Sequence, residues 1–90
     1  MMAREQILKV VVKNIKLNVD GLEDHEIDPA KSMAEYGAES LDIVEIVAAS
    51  MRELRTKVPR TELATLKNIN ELVDLFFTVE KGTAEVSAHA

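Results

Sequence analysis

Three stretches of the chain repeat apolar residues with the period of an α-helix, and none alternates them with the period of a strand. Ile7, Val10, Val11 and Ile15 share one face of a helix predicted from Ala3 to about Leu17, with Lys9, Lys13 and Lys16 elsewhere on its surface. The β-branched run Val10–Val12 also suits a strand, but the lysine interruptions and the length of the segment favour helix. A second helix is predicted from Ser40 to about Lys57. Val58-Pro59 closes it, because proline disfavours helical backbone at the residue before it. A short helix of up to two turns is expected from Arg60 to about Leu66, capped by Thr61 or Pro59. The last helix runs from Asn68 to Val79. Ile69, Leu72, Val73 and Phe76 form one face of it, and Asn68 with Glu71 resembles a capping pair. The prediction is an all-α fold: a small bundle of three main helices plus one short helix, with a long loop between the first and second.

Ninety residues make one small domain with a thin core. The helical domain is expected over 1–80, and 81–90, without any period, as a flexible tail. A loop of some twenty residues, Asn18 to Glu39, needs pinning in so small a fold. Leu22, Ile27, Met33 and Tyr36 are the candidate pins. Asp28-Pro29 suggests the start of a helical turn that Gly37 would end. The only aromatics are Tyr36, Phe76 and Phe77, so the core is aliphatic, with one Phe ring inside and the other partly covered.

The absence of cysteine excludes disulfides, thiolate metal sites and a cysteine nucleophile, and fits a reducing, cytoplasmic setting. No apolar run is long enough to span a membrane, and no cleavable leader is recognisable. Charge is unevenly spread: +3 over residues 1–18, −8 over 19–49 and zero over 50–90. An acidic middle disfavours nucleic acid and favours basic protein partners. EDHEID, Glu23 to Asp28, lacks the spacing and glycine of a calcium loop and reads as a solvated acidic segment. No metal site is expected in the chain itself.

The second helix carries more apolar surface than one core face needs. Ile43, Ile46, Val47, Ser50 and Leu54 form one stripe, and Leu41, Val44, Ala48 and Met51 a second, roughly 110° around the helix. Asp42, Glu45 and Glu53 fill the rest with Ala49. Either the helix is buried on two sides, or the second stripe docks a partner. Ser40 stands at the helix start, with Glu39 before it and Asp42 two residues on. One reading is a plain cap. Nucleophilic catalysis fails, because the only histidines are His25 in the acidic loop and His89 in the tail, and no G-x-S-x-G elbow is present. The remaining use is as an acceptor. A phosphate ester on Ser40 would sit in the positive field of the helix N-terminus, with Glu39 and Asp42 flanking it to help hold a divalent cation or a basic enzyme during transfer.

Gly37 to Val47, GAESLDIVEIV, closely resembles the G-x-D-S-L-x-x-x-E-L-V signature of acyl carrier proteins, the phosphopantetheine-bearing domains of fatty-acid and polyketide synthesis. The resemblance runs from about Arg4 to Val79. It takes in the first helix, the loop ending in SMAEYGAES, the spacing from Ser40 to Val58-Pro59, and LKNINELVDLF at the end. It implies that a phosphopantetheinyl transferase moves 4′-phosphopantetheine from coenzyme A onto Ser40, with Mg2+ needed only in that transfer. The imported thiol then carries acyl groups as thioesters. The chain itself catalyses nothing; it presents cargo to enzymes such as an acyltransferase or a ketosynthase, as a monomer. Leu41, Val44, Ala48 and Met51 match the family's outward contact positions, and Glu45 adds acid to that face. The inward stripe would line a cleft for acyl chains.

The chain departs from the pattern in places. Glu39 replaces the usual Asp, Asn68 the usual Thr, and Ser50 a large aliphatic. Arg52, Arg55, Lys57 and Arg60 stand where many members carry acids, so docking on a basic enzyme is expected only near Asp42 and Glu45. Arg52 and Arg55 become candidate docking residues in their own right, against the plainer reading of helix surface charge. These departures suggest a specialised, stand-alone carrier of a polyketide pathway, one delivering a small acyl unit for branching. The alternatives are a fatty-acid or aminoacyl carrier, or an adaptor that carries nothing and docks through Leu41, Val44 and Met51.

Overall fold

A computed structural model describes residues 3–63 and 66–81, and the side chains of these except at 60, 61, 80 and 81. Helix α1 spans Arg4–Asn18, α2 Ser40–Leu54, α3 Arg60–Leu63 and α4 Ile69–Lys81, and the described residues include no strand. The all-α bundle with one short helix is therefore as expected. The tail from residue 82, with His89, lies outside the described residues.

The predicted faces meet in one core. Ile7, Val11 and Ile15 of α1, Ile46, Val47 and Leu54 of α2, and Ile69, Leu72, Val73, Phe76 and Val79 of α4 are buried together. Phe77 is only partly covered, as expected of the second ring. Val10 is half-buried at the edge. The α1–α2 contact contains a polar pair that the apolar pattern did not suggest. Asn14 is 4% exposed and Ser50 0%. The Asn14 amide donates to Ser50 Oγ at 3.2 Å and to the Val10 carbonyl at 3.0 Å, and the Ser50 hydroxyl donates to the Ile46 carbonyl at 2.8 Å. A serine at this inward position is tolerated because its hydroxyl has partners.

The long loop is pinned as its spacing suggested. Leu22, Ile27 and Met33 are buried, joined by Val19 and Ala38. The Tyr36 hydroxyl accepts the Asp28 backbone N–H at 2.7 Å. The helical turn lies further along than Asp28-Pro29 implied. Asp28 only closes a turn, its carboxylate accepting the Ala30 N–H at 2.9 Å. A 3-10 turn then runs Ala34–Tyr36, begun by a reciprocal pair: Glu35 N–H to Ser32 Oγ at 3.1 Å and Ser32 N–H to Glu35 Oε2 at 2.8 Å. Gly37, at φ 96°, ends it in the left-handed region as expected.

Helix ends differ in detail. The second helix stops at Leu54, three residues before Lys57, because Arg55 turns left-handed at φ 54° and the Thr56 N–H reaches back to the Met51 carbonyl at 3.1 Å. The described part of the short helix is one turn, Arg60–Leu63; residues 64 and 65 of its expected span lie outside the described residues. The last helix continues past Val79 to Lys81. Its predicted cap forms: Glu71 N–H donates to Asn68 Oδ1 at 2.8 Å.

Candidate attachment and docking site

The loop delivers Ser40 to the helix start in a few residues. Gly37 reverses the chain, Ala38 is buried and anchors it, and Glu39 is extended at φ −88°, ψ 171°. Glu39, not Ser40, is the cap residue. Its carbonyl takes the first helical bond from Ile43 N–H at 2.9 Å, and its N–H is held by Asp42 Oδ2 at 2.9 Å. The plain-cap reading of Ser40 is thereby removed. Ser40 is the first residue of α2, is exposed, and its hydroxyl has no hydrogen-bond partner among the described residues. A free hydroxyl at the positive end of a helix of about four turns is placed to accept an anionic group.

Asp42 is partly buried and its carboxylate is committed to the backbone, whereas Glu39 and Glu45 are exposed. Among the described residues no set of three or more acidic, His or Cys side chains is gathered as for a metal. His25 is exposed in the loop, and Glu23, Asp24 and Glu26 around it are exposed as well, in keeping with a solvated acidic segment.

The two stripes of α2 separate as the spacing predicted. Ile46, Val47, Ser50 and Leu54 turn inward, and Ile43 is half-buried beside them. Leu41 is 73% exposed and Val44 50%, while Ala48 and Met51 are half-buried. Leu41 and Val44 thus leave apolar surface exposed on consecutive turns of the helix. Met51 also acts within the fold, since its Sδ accepts the Val58 N–H at 3.5 Å and so holds the following loop to the helix end.

Two open grooves run along this face. One, of about 370 Å³, starts at Ser40 and is lined by Ile43, Val44, Val47, Ala48, Met51 and Leu63. The other, of about 610 Å³, begins at the shared residues Ala48 and Met51 and continues past Arg52, Arg55, Thr56, Lys57 and Val58. The exposed hydroxyl, with an apolar groove leading from it, fits a serine-linked flexible arm: nothing competes for the oxygen, and the arm has a surface to lie on. Arg52 and Arg55 are both exposed, one turn or less from Met51. The side chain of Arg60 lies outside the described residues.

Comparison with known proteins agrees with this geometry. Residues 6–76 match the family described as "PP-binding: Phosphopantetheine attachment site". The chain is 34% identical over 76 residues to the polyketide biosynthesis acyl-carrier-protein AcpK of Bacillus subtilis (strain 168), an alignment covering 84% of this chain and 93% of the relative. Among solved structures it resembles a chain of the curacin biosynthetic pathway HMG synthase in complex with an acetyl donor acyl carrier protein. The TM-score is 0.76 at 40% identity, with 83% of this chain and 96% of that chain covered. A family match over most of the chain, on the fold that carries the free serine, settles the assignment: the chain belongs to the phosphopantetheine-binding family and is an acyl carrier protein.

Proposed function

We propose that Ser40 is the attachment point of 4′-phosphopantetheine, and that the chain carries short acyl units of a polyketide pathway to enzymes docking on α2. The observation that carries the first part is the exposed, unpartnered Ser40 hydroxyl at the first helical position, with Glu39 rather than Ser40 serving as cap. Helix capping accounts for most serines at helix starts; here that role is taken, and the oxygen is left for chemistry. A phosphopantetheinyl transferase supplies the arm from coenzyme A, with Mg2+ at the transferase. When bound, the arm supplies a thiol for thioesters in a chain that has no cysteine. The chain's own residues position rather than react: Asp42 fixes the helix start, and Leu41 and Val44 offer the apolar contact. In this reading the protein is a substrate and partner of enzymes, not a catalyst, and works as a monomer in the cytoplasm.

The Bacillus subtilis relative, a polyketide biosynthesis carrier, favours the polyketide reading over a fatty-acid or aminoacyl one, and the solved neighbour is an acetyl donor carrier in complex with an HMG synthase. Intact mass after incubation with coenzyme A, Mg2+ and a broad transferase tests the attachment: the wild-type chain gains one phosphopantetheine and Ser40→Ala gains none. A gain that survives Ser40→Ala sinks the assignment of the residue, and no gain in the wild type sinks the carrier reading.

A further inference from the structure

The far end of α2 is as positively charged as its start is negative. Arg52, Arg55 and Lys57 are exposed and rim the larger groove, whose floor is Ala48, Met51 and Val58. None of the three cationic side chains makes an ion pair or hydrogen bond among the described residues. The neighbouring acid is not available to them, because Glu53 pairs with Lys13 of α1. Three unneutralised cations around an apolar floor lower the affinity for basic surfaces and suit an acidic one.

Arg55 adds an independent observation. It is the only described residue other than glycine with a positive φ, 54°, at the position that ends α2. Glycine is the favoured residue there, since a Cβ is strained in that conformation. An arginine kept at a glycine position is an outlier that invites a functional reading. The chain leaves the helix at this turn, and Arg55, Thr56 and Lys57 line the groove together with Ala48, Met51 and Arg52 of α2.

We infer that this groove docks an acidic, apolar-tipped surface element of the partner enzyme. It engages at the end of α2 about 21 Å from Ser40, given the rise of a fifteen-residue helix. The helix then works as a two-pole contact. Glu39 and Glu45 near Ser40 favour a basic rim at the partner's active-site mouth, and Arg52, Arg55 and Lys57 favour an acidic patch at the other end. An enzyme with basic groups at both ends, suited to a carrier acidic along its whole helix, meets repulsion here. The two poles also fix the direction in which α2 lies on the partner, and so where the arm enters.

The inference rests on the carrier reading, and the test separates the two. Wild-type chain, Arg52→Glu/Arg55→Glu and Arg55→Gly are each loaded to completion with an acetylated arm, verified by intact mass, and titrated against the curacin-pathway HMG synthase at low and high salt. The expected result is a loss of affinity of about tenfold in the double variant at low ionic strength, narrowing as salt screens the charges. Arg55→Gly is expected to lose a smaller factor while its melting temperature equals or exceeds that of the wild type, because the left-handed turn suits glycine. That opposition of stability and affinity is what a merely structural arginine does not give. A chain that loads on Ser40 but does not bind this enzyme overturns the inference, as does a double variant that binds as tightly or more tightly. If both variants lose binding to phosphatidylserine vesicles while enzyme affinity stays unchanged, the cationic rim belongs to lipid and the inference falls. Failure to load at all strikes the carrier reading instead.

Discussion

Ser40 and Ser50 lie on the same helix and are used in opposite ways. The Ser40 oxygen is exposed and without a partner, while the Ser50 oxygen is fully buried, donating to one carbonyl and accepting from the Asn14 amide. A free hydroxyl on the surface costs nothing, since water satisfies it; a buried one is tolerated only with its bonds made. Removing Ser50 Oγ by Ser50→Ala leaves the Asn14 amide with the Val10 carbonyl alone, and a loss of about 1 kcal/mol is expected. Asn14→Ala removes two bonds and opens a cavity, for a loss of about 2 to 3 kcal/mol. The pair is in contact, so the double variant should lose less than the sum of the singles, by about 1 kcal/mol. Urea denaturation of the four proteins measures this. Additivity to within a few tenths would mean that the 3.2 Å contact contributes no energy of its own. The pair was only half legible in the sequence. Ser50 stands out as small and polar on an apolar stripe, but its partner sits four residues after Val10 on a helix whose face is defined by its aliphatics. Long-range pairs between helices have no local spacing to announce them.

At the scale of the element, α2 divides its surface between two kinds of burial. Ile46 and Val47 are covered by the protein, whereas Leu41 and Val44 are left exposed, on the face proposed to dock partners. Substitutions should separate accordingly. Ile46→Ala is expected to cost about 3 kcal/mol through lost transfer energy and a cavity. Leu41→Ser, at a residue 73% exposed, should change stability by less than about 0.5 kcal/mol, yet slow acyl delivery to a partner enzyme several-fold. Thermal melts and transfer kinetics on the loaded protein check both. A Leu41→Ser variant that melts far below the wild type would place Leu41 in the fold rather than on the docking face. Met51 is the less informative residue for this purpose, because its sulfur also holds Val58. The division into two stripes was legible because 3.6-residue spacing fixes which side chains share a face. The helix ends were less so. The proline at 59 announces a stop but does not place it, and Arg55 gives no hint of a left-handed turn, since glycine is the usual sign of one. Likewise Ser40 carries the sequence signature of a cap, yet Glu39 takes that position, a shift of one residue that only the backbone angles decide.

At the scale of the whole molecule, the long loop is tied to the start of α4 by backbone hydrogen bonds. Its carbonyls at Lys31 and Pro29 accept the first amides of α4, Ile69 N–H at 3.0 Å and Asn70 N–H at 2.8 Å. Helix-start amides normally look to a cap or to water. Here they are closed by a segment far earlier in the chain, with the third, Glu71, closed by Asn68. Asn70 is gripped from its other side as well: the Arg4 guanidinium donates to its carbonyl at 3.3 Å and to its side-chain oxygen at 3.2 Å, while Arg4 Nε pairs with Asp74 at 2.7 Å. The start of α1, the middle of the loop and the start of α4 therefore meet at one junction, and Ile27, Met33 and Ile69 are buried with the core. A loop bound in this way should not open before the helices do. Native-state hydrogen exchange then has a definite expectation: the Ile69 and Asn70 amides exchange with opening free energies within about 1 kcal/mol of those at Val11 and Ile46, although they head a helix. Rates near those of free helix ends would show the loop detaching on its own, and the position of Ser40 would then fluctuate with it, because Gly37 and Ala38 lie in the loop's last stretch before Ser40. Concerted protection would make the loop part of what holds Ser40, the proposed attachment point, in place.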